Sequence, residues 1–338
     1  MVRTVRRYPL AEIADSTGLA CETPAMVGRR GFRDGMSESV VILGAGFLGR
    51  ATAAAALAEG RPTTVLSRRV VPPVVGAEMV AGDFGDRSAL DAAIRPGSTV
   101  VFAAGNSVPS ADEHHPSRAV AEVTPLVSVL EAVSRTPETT LLFLSSGGAI
   151  YGEPDVIPVA ETHELRPVSA YGAAKAACET YVRFYVRHHG VRATSLRCGN
   201  VYGPGQVPGR GQGLVGELID ASEEGRTVEI WGDGSVRRDF IHVDDLSHAI
   251  VSLCGHDDLP PALNLGSGEA TSVREVVALV SEITGCPIDI TTRPARPFDV
   301  QRVALDISRV QSLIDFKPMA IRDGIGRTWA RVAAETVA

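Results

Sequence analysis

Three things are missing from this chain of 338 residues. No run of about 18 apolar residues exists, the length a helix needs to cross a bilayer. The basic start (Arg3, Arg6, Arg7) also lacks the apolar stretch of a signal peptide. The expectation is a cytoplasmic protein with no membrane partner. The second absence is any cysteine pattern: Cys21, Cys178, Cys198, Cys254 and Cys286 are scattered, odd in number and form no CxxC or Cys/His cluster. Neither a disulfide frame nor a zinc site is expected, and the metal expectation is none. The third is positive charge. Against 40 Asp plus Glu stand 33 Lys plus Arg, for a net charge of −7, which argues against a nucleic-acid partner. Any phosphate ligand must be held by a few local arginines. What is present is 44% hydrophobic and 22% charged residues, the composition of a globular enzyme long enough for two domains.

Residues 1–35 show no strand or helix period and end at Met36, just before a clear strand. Residues 1–37 are expected to form a disordered N-terminal extension. It reads either as a tail or upstream start, or as an arm covering a partner subunit. Residues 38–200 are expected to form a dinucleotide-binding domain, with a segment returning to it near 239–265. Residues 201–338, rich in Gly/Pro loops and short helices, are expected to form mainly a substrate domain.

Ser39-Val40-Val41-Ile42-Leu43 reads as a buried parallel strand. Gly44-Ala45-Gly46-Phe47-Leu48-Gly49 follows, leading into an alanine-rich helix. Gly44 permits the tight turn, Gly46 lets a pyrophosphate approach the backbone, and Gly49 lets helix and strand pack closely. The helix N-terminus faces the anion. A second strand ends in Ser67-Arg68-Arg69 where an NAD site usually offers an acid. Two guanidiniums and a hydroxyl suit a 2′-phosphate, favouring NADP(H), with NAD(H) the alternative. Asp83 and Phe84 are placed to flank the adenine. Ala103, Ala104, Gly105 and Ser107 end a further strand where open α/β sheets bind ligands. Alternating strands and helices predict a Rossmann-type, doubly wound parallel sheet with a smaller C-terminal α/β substrate domain.

Tyr171 and Lys175 stand four residues apart at the start of a helix, on one face. A nearby ammonium favours the phenolate and makes the tyrosine a usable acid or base, and the lysine can also bond a cofactor ribose.

From here the chain resembles the extended short-chain dehydrogenase/reductase family, in particular its nucleotide-sugar epimerases and dehydratases, over roughly residues 39–335. The resemblance rests on the glycine turn, Ser145-Ser146-Gly147-Gly148-Ala149-Ile150-Tyr151-Gly152, Tyr171 to Lys175, and Arg197-Cys198-Gly199-Asn200-Val201-Tyr202-Gly203-Pro204. It continues through Trp231 to Asp245 and Asn264-Leu265-Gly266-Ser267-Gly268. It implies a homodimer, a UDP- or TDP-linked sugar as substrate, Asn200, Arg238 and Arg296 at its diphosphate and sugar, and Asp299 near the ribose.

The chain departs from the family at the position of its catalytic Ser or Thr, which is Gly147. Ser146 is the nearest substitute, though neighbouring strand residues point to opposite faces unless the strand end twists. It is either the missing hydroxyl or a strand-end Ser bonding its own backbone. Gly148 and Ala149 stand where dehydratases and decarboxylases carry acids, which weakens those readings. The leading expectation is a nucleotide-sugar 4-epimerase. The alternatives are an NADPH-dependent reductase of a nucleotide-linked 4-ketosugar and a catalytically silent dinucleotide-binding protein. His242, Asp244 and Asp245 read as a strand followed by a helix with Asp at its N-cap, not as metal ligands.

Overall fold

A computed structural model describes residues 38–68, 72–105, 113, 115–207 and 213–337. The extension 1–37, Arg69 and Ser107 lie outside the described residues.

Strand β1 (Val40–Leu43) is buried along its whole length. Its alternate residues serve opposite layers, as the two-residue period of a strand requires. Val40 and Ile42 pack with Ala53 and Ala56 of helix α1 (Phe47–Ala58) and with Leu246 and Ile250 of the helix Val243–Leu253. Val41 and Leu43 pack instead with Leu126, Val129 and Leu130 of the helix Val123–Arg135. A strand apolar on both faces with helices on both sides is the signature of a parallel sheet.

That sheet has seven strands. With β2 (Thr63–Ser67), β3 (Glu78–Ala81), β4 (Thr99–Phe102), β5 (Thr140–Ser146) and β6 (Arg192–Cys198), the order runs Ala262–Leu265, β6, β5, β4, β1, β2, β3. Every pairing is parallel. The chain winds from β1 to β3 in one direction, then returns to the other side of β1 through β4. The strand order therefore reverses between β1 and β4, where open sheets leave a crevice at their carboxyl ends. Leu43 is in register with both Leu66 and Phe102, so the ends of β1, β2 and β4 are level.

A separate core lies in the second half: Tyr202, Leu218, Ile219, Ile230, Phe240, Val276, Val280 and Ile325 pack together. One of its helices, Val273–Thr284, is opened by a capping box in which Ser272 and Glu275 satisfy each other's backbone N–H groups. The expected Asp N-cap before the helix Val243–Leu253 is corrected. His242 is the N-cap, its Nδ1 accepting from the Asp244 N–H, and Asp244 and Asp245 fill the first turn. A neutral imidazole nitrogen accepts as a carboxylate would, and the carboxylates one position on face the positive helix end.

Candidate active site

Gly44 leaves β1 at φ +114°, a backbone conformation that favours glycine, and a Cβ there would stand 3.0 Å from the Ala104 backbone. A Cβ on Gly49 would meet the Gly44 carbonyl oxygen at 1.8 Å, so helix and turn touch backbone to backbone. Gly46 differs: a Cβ there meets nothing within 4 Å. It is the N-cap of α1, makes no side-chain capping bond, and Phe47, Leu48 and Gly49 bring no acid into the first turn. Free N–H groups and the positive helix end thus face open space, which fits a pyrophosphate. Ala103, Ala104 and Gly105 border the same turn from the end of β4.

At the end of β2, Ser67 is buried and Arg68 turns towards Asp83, with Nη1 to Oδ2 at 3.8 Å. Asp83 also accepts from the Gly85 N–H at 2.8 Å. Phe84, expected to flank an adenine, is 3% exposed, packs edge-on against Phe102 at 5.8 Å, and is covered by the Arg68 guanidinium at 5.5 Å. An aromatic following a strand and a short turn is drawn into the layer beneath, because the core gains more from its area than an open cleft does.

Ser169 caps the helix Ala170–His189 by accepting from the Gly172 N–H at 3.1 Å, which sets Tyr171 in the first turn and Lys175 one turn later. The two serines ending β5 diverge. Ser145 donates to the buried Glu179 carboxylate at 2.7 Å, whereas Ser146 is partly exposed and lies in electrostatic reach of the Tyr171 phenol. Alternation along the strand thus sends Ser146, and not its neighbour, to the open side. Burial pushes the phenol above its usual pKa; Lys175 pulls it down, Glu122 raises it and the Ser146 hydroxyl lowers it. Burial pulls Lys175 the other way, yet the facing Tyr171 and Glu122 charges hold it above the ordinary lysine value. The ammonium also donates to the Leu144 carbonyl at 3.4 Å and lies 5.7 Å over the Tyr171 ring.

Glu122 was not foreseen, since nothing in its sequence neighbourhood distinguishes it from a surface glutamate at a helix start. Its Oε2 is 2.9 Å from Lys175 Nζ, with both side chains more than nine-tenths buried. Beneath the site lies a second unforeseen feature, a closed polar network. Arg197 donates to both oxygens of Glu179 and, at 2.9 Å, to the Tyr151 hydroxyl, which in turn donates to Asn264 Oδ1 at 2.7 Å. Burial pushes Tyr151 to about 12, against the pull of Arg197.

Position 147 has no room for a side chain: a Cβ there would stand 2.7 Å from Leu305 Cδ1. Asn200 reaches the same strand end, its Oδ1 2.9 Å from where a Gly148 Cβ would be. Arg238 is half-buried, donating to the carbonyls of Val300 and Arg237, and burial lowers its pKa with Asp299 and Arg296 in electrostatic reach. Its neighbour Arg237 pairs instead with Glu275 at 3.1 Å. Arg296 grips Asp299 with two bonds of 2.8 Å and stacks between Trp231 and Phe298 at 5.2 Å from each ring. Arg238, Arg296 and Asp299 are thus brought together.

Residues 40–266 match the family described as "NAD dependent epimerase/dehydratase family". The chain is 32% identical over 254 residues to the UDP-glucose 4-epimerase of Mycolicibacterium smegmatis, spanning 74% of this chain and 81% of that protein. Its fold is similar to the UDP-glucose 4-epimerase of Thermotoga maritima solved with UDP-glucose, at a TM-score of 0.79 and 27% identity over 87% of this chain and 99% of that one. The Thermus thermophilus enzyme solved with NAD is alike to the same degree, at a TM-score of 0.79 and 29% identity over 87% and 99%. Among the described residues no helix is long and apolar enough to cross a membrane.

Proposed function

The chain belongs to the NAD dependent epimerase/dehydratase family, and from that premise we propose that it is a nucleotide-sugar 4-epimerase acting on a UDP-linked hexose. The observation that carries this reading is Tyr171, one helical turn from a buried Lys175 whose ammonium lies 5.7 Å over its ring, at the open end of the sheet that also carries the glycine turn. Gly44, Gly46 and the start of α1 would hold the dinucleotide's pyrophosphate. A nicotinamide held there in its oxidised form would supply a hydride acceptor and donor at C4 of the sugar. Tyr171 takes the O4 proton as the C4–H bond breaks and the C4=O bond forms, and gives it back when hydride returns. Ser146 bonds the same oxygen, and Lys175 stabilises the phenolate. Gly148 and Ala149 offer no second acid or base, so the sugar leaves with its substituents intact.

Arg238 and Arg296 are the cations for the diphosphate, with Asn200 at the sugar end and Asp299 near the ribose. For the cofactor we favour NAD(H) over the NADP(H) that Ser67-Arg68-Arg69 suggests. Arg68 already faces a carboxylate, and the similar Thermus thermophilus structure was solved with NAD. A homodimer, formed over the exposed Tyr181, Phe184 and Val186 of the helix Ala170–His189, and a cytoplasmic location complete the reading.

The test is to incubate the purified protein with UDP-glucose and UDP-galactose and follow the sugar by NMR. Interconversion without net change in cofactor absorbance is expected. Steady NADPH oxidation by a 4-ketosugar nucleotide, with no interconversion, would instead establish the reductase.

A further inference from the structure

We propose that Glu122 is a positioning residue of this centre, the counter-ion that keeps the Lys175 ammonium charged and aimed beside Tyr171. The role rests on the reading of Tyr171 and Lys175 as the proton-handling pair. Three features point to it. Glu122 is the N-cap of the helix Val123–Arg135, yet its side chain makes no capping bond; the carboxylate reaches instead to Lys175 Nζ at 2.9 Å. Its other oxygen lies 2.9 Å from where a Gly105 Cβ would be, so the carboxylate fits only because β4 leaves the sheet through a glycine. Finally, Lys175 is 6% exposed, and an ammonium so enclosed gives up its proton unless an opposite charge accompanies it.

Among the described residues, the largest charge effects on this pair come from within it and from Glu122. Tyr171 is faced by Lys175 from its own helix, Glu122 from the helix Val123–Arg135, the Ser146 hydroxyl from β5 and the Cys198 thiol from β6. Lys175 is faced by Tyr171, Glu122 and the Cys178 thiol. Burial pushes both thiols to about 12, so they stay neutral. Glu122 therefore carries the balancing charge. Of the three donors on the ammonium, one goes to Glu122 and one to the Leu144 carbonyl, leaving one for a cofactor ribose.

The chain has two lysines, Lys175 and Lys317, and Lys317 is 81% exposed. Protein labelled with 13Cε-lysine thus gives two NMR signals, one an internal standard, and needs no substrate. In the unsubstituted protein the Lys175 signal should stay in its charged form through neutral pH. In Glu122→Gln its midpoint should fall by about one to three pH units, the range for losing an opposite charge at contact distance. Turnover should drop with KM for the nucleotide sugar unchanged, and the basic limb of the kcat profile should move down with the lysine. Should Glu122→Gln not fold, Glu122→Asp is read in the same way, with a smaller downward shift expected. A Lys175 midpoint identical with and without the carboxylate overturns the proposal. A shifted midpoint in a protein that epimerises no nucleotide sugar would support the pairing and overturn the epimerase reading instead.

Discussion

Leu305 fills the space that a side chain at position 147 would need, its two terminal methyls 2.7 and 2.8 Å from where a Gly147 Cβ would stand. Leu305 itself cannot withdraw easily. It is fully buried among Ile150, Tyr151 and Val303, and its N–H is bonded to Asp239 at 2.9 Å. Restoring the family's usual hydroxyl should therefore do harm. Gly147→Ser is expected to lose about 1–3 kcal/mol by overpacking and to turn over more slowly, and Leu305→Ala in the same chain should recover part of the activity. Denaturant midpoints and initial rates check this; a Gly147→Ser protein that is as stable and faster would show that the hydroxyl belongs at 147.

The role proposed for Ser146 follows from its facing the Tyr171 phenol, whereas Ser145 is tied to Glu179. Tyr171→Phe should lower kcat by about 10²–10⁴, the usual contribution of a positioned acid or base, while the affinity for NAD stays within a few-fold. Ser146→Ala should cost about 10²–10³, as for the loss of one donor at a developing oxyanion, and Ser146→Thr should retain most of the rate. Rates unchanged in Ser146→Ala would return that residue to a purely structural role.

Much of the fold is legible in the sequence because apolar strand runs and the glycine turn are local signals. The strand Val40–Leu43 and the helix Ala170–His189 need no distant partner to be recognised. What is not legible depends on partners supplied by other elements. Arg197 reads only as part of a family motif; that it is 4% exposed and held by Glu179 from a separate helix emerges only when β5, β6 and that helix assemble. Phe84 looks available as a turn aromatic, and only the assembled layer shows it packed with Leu66, Leu90 and Phe102. Glu122 is hidden because its partner lies on another helix.

The Arg68–Asp83 pair bears on the proposed choice of NAD over NADP. With side chains 41% and 57% exposed, the pair is worth little to stability, but it sets a carboxylate beside the guanidinium that would have to receive a 2′-phosphate. NAD is expected to bind at least about tenfold more tightly than NADP. Replacing Asp83→Ser removes the repulsion and frees the guanidinium, so NADP affinity should rise by about tenfold, the scale of one charge-assisted contact, with NAD affinity little changed. Calorimetric titration of both cofactors measures this directly, and tighter binding of NADP by the unsubstituted protein would reverse the assignment.

His242 makes stability depend on pH. It is 1% exposed, with Nδ1 accepting from the Asp244 N–H at 3.2 Å and Nε2 set to donate to Thr328 Oγ1 at 3.4 Å, so both nitrogens are committed to the neutral ring. Burial lowers its pKa despite the carboxylates of Asp244 and Asp245. An unfolded histidine, with a pKa of about 6.5, takes up a proton that the folded one refuses. Its contribution is thus complete above about pH 6.5 and is lost as pH falls from there through the lower folded value, at a limiting slope of about 1.4 kcal/mol per pH unit. His256 is lowered in the same direction, so the comparison must be with a substituted chain. His242→Asn keeps an N-cap acceptor but cannot titrate there. Its unfolding free energy should fall less steeply between pH 7 and 5, and two parallel profiles would mean that the proton uptake lies elsewhere.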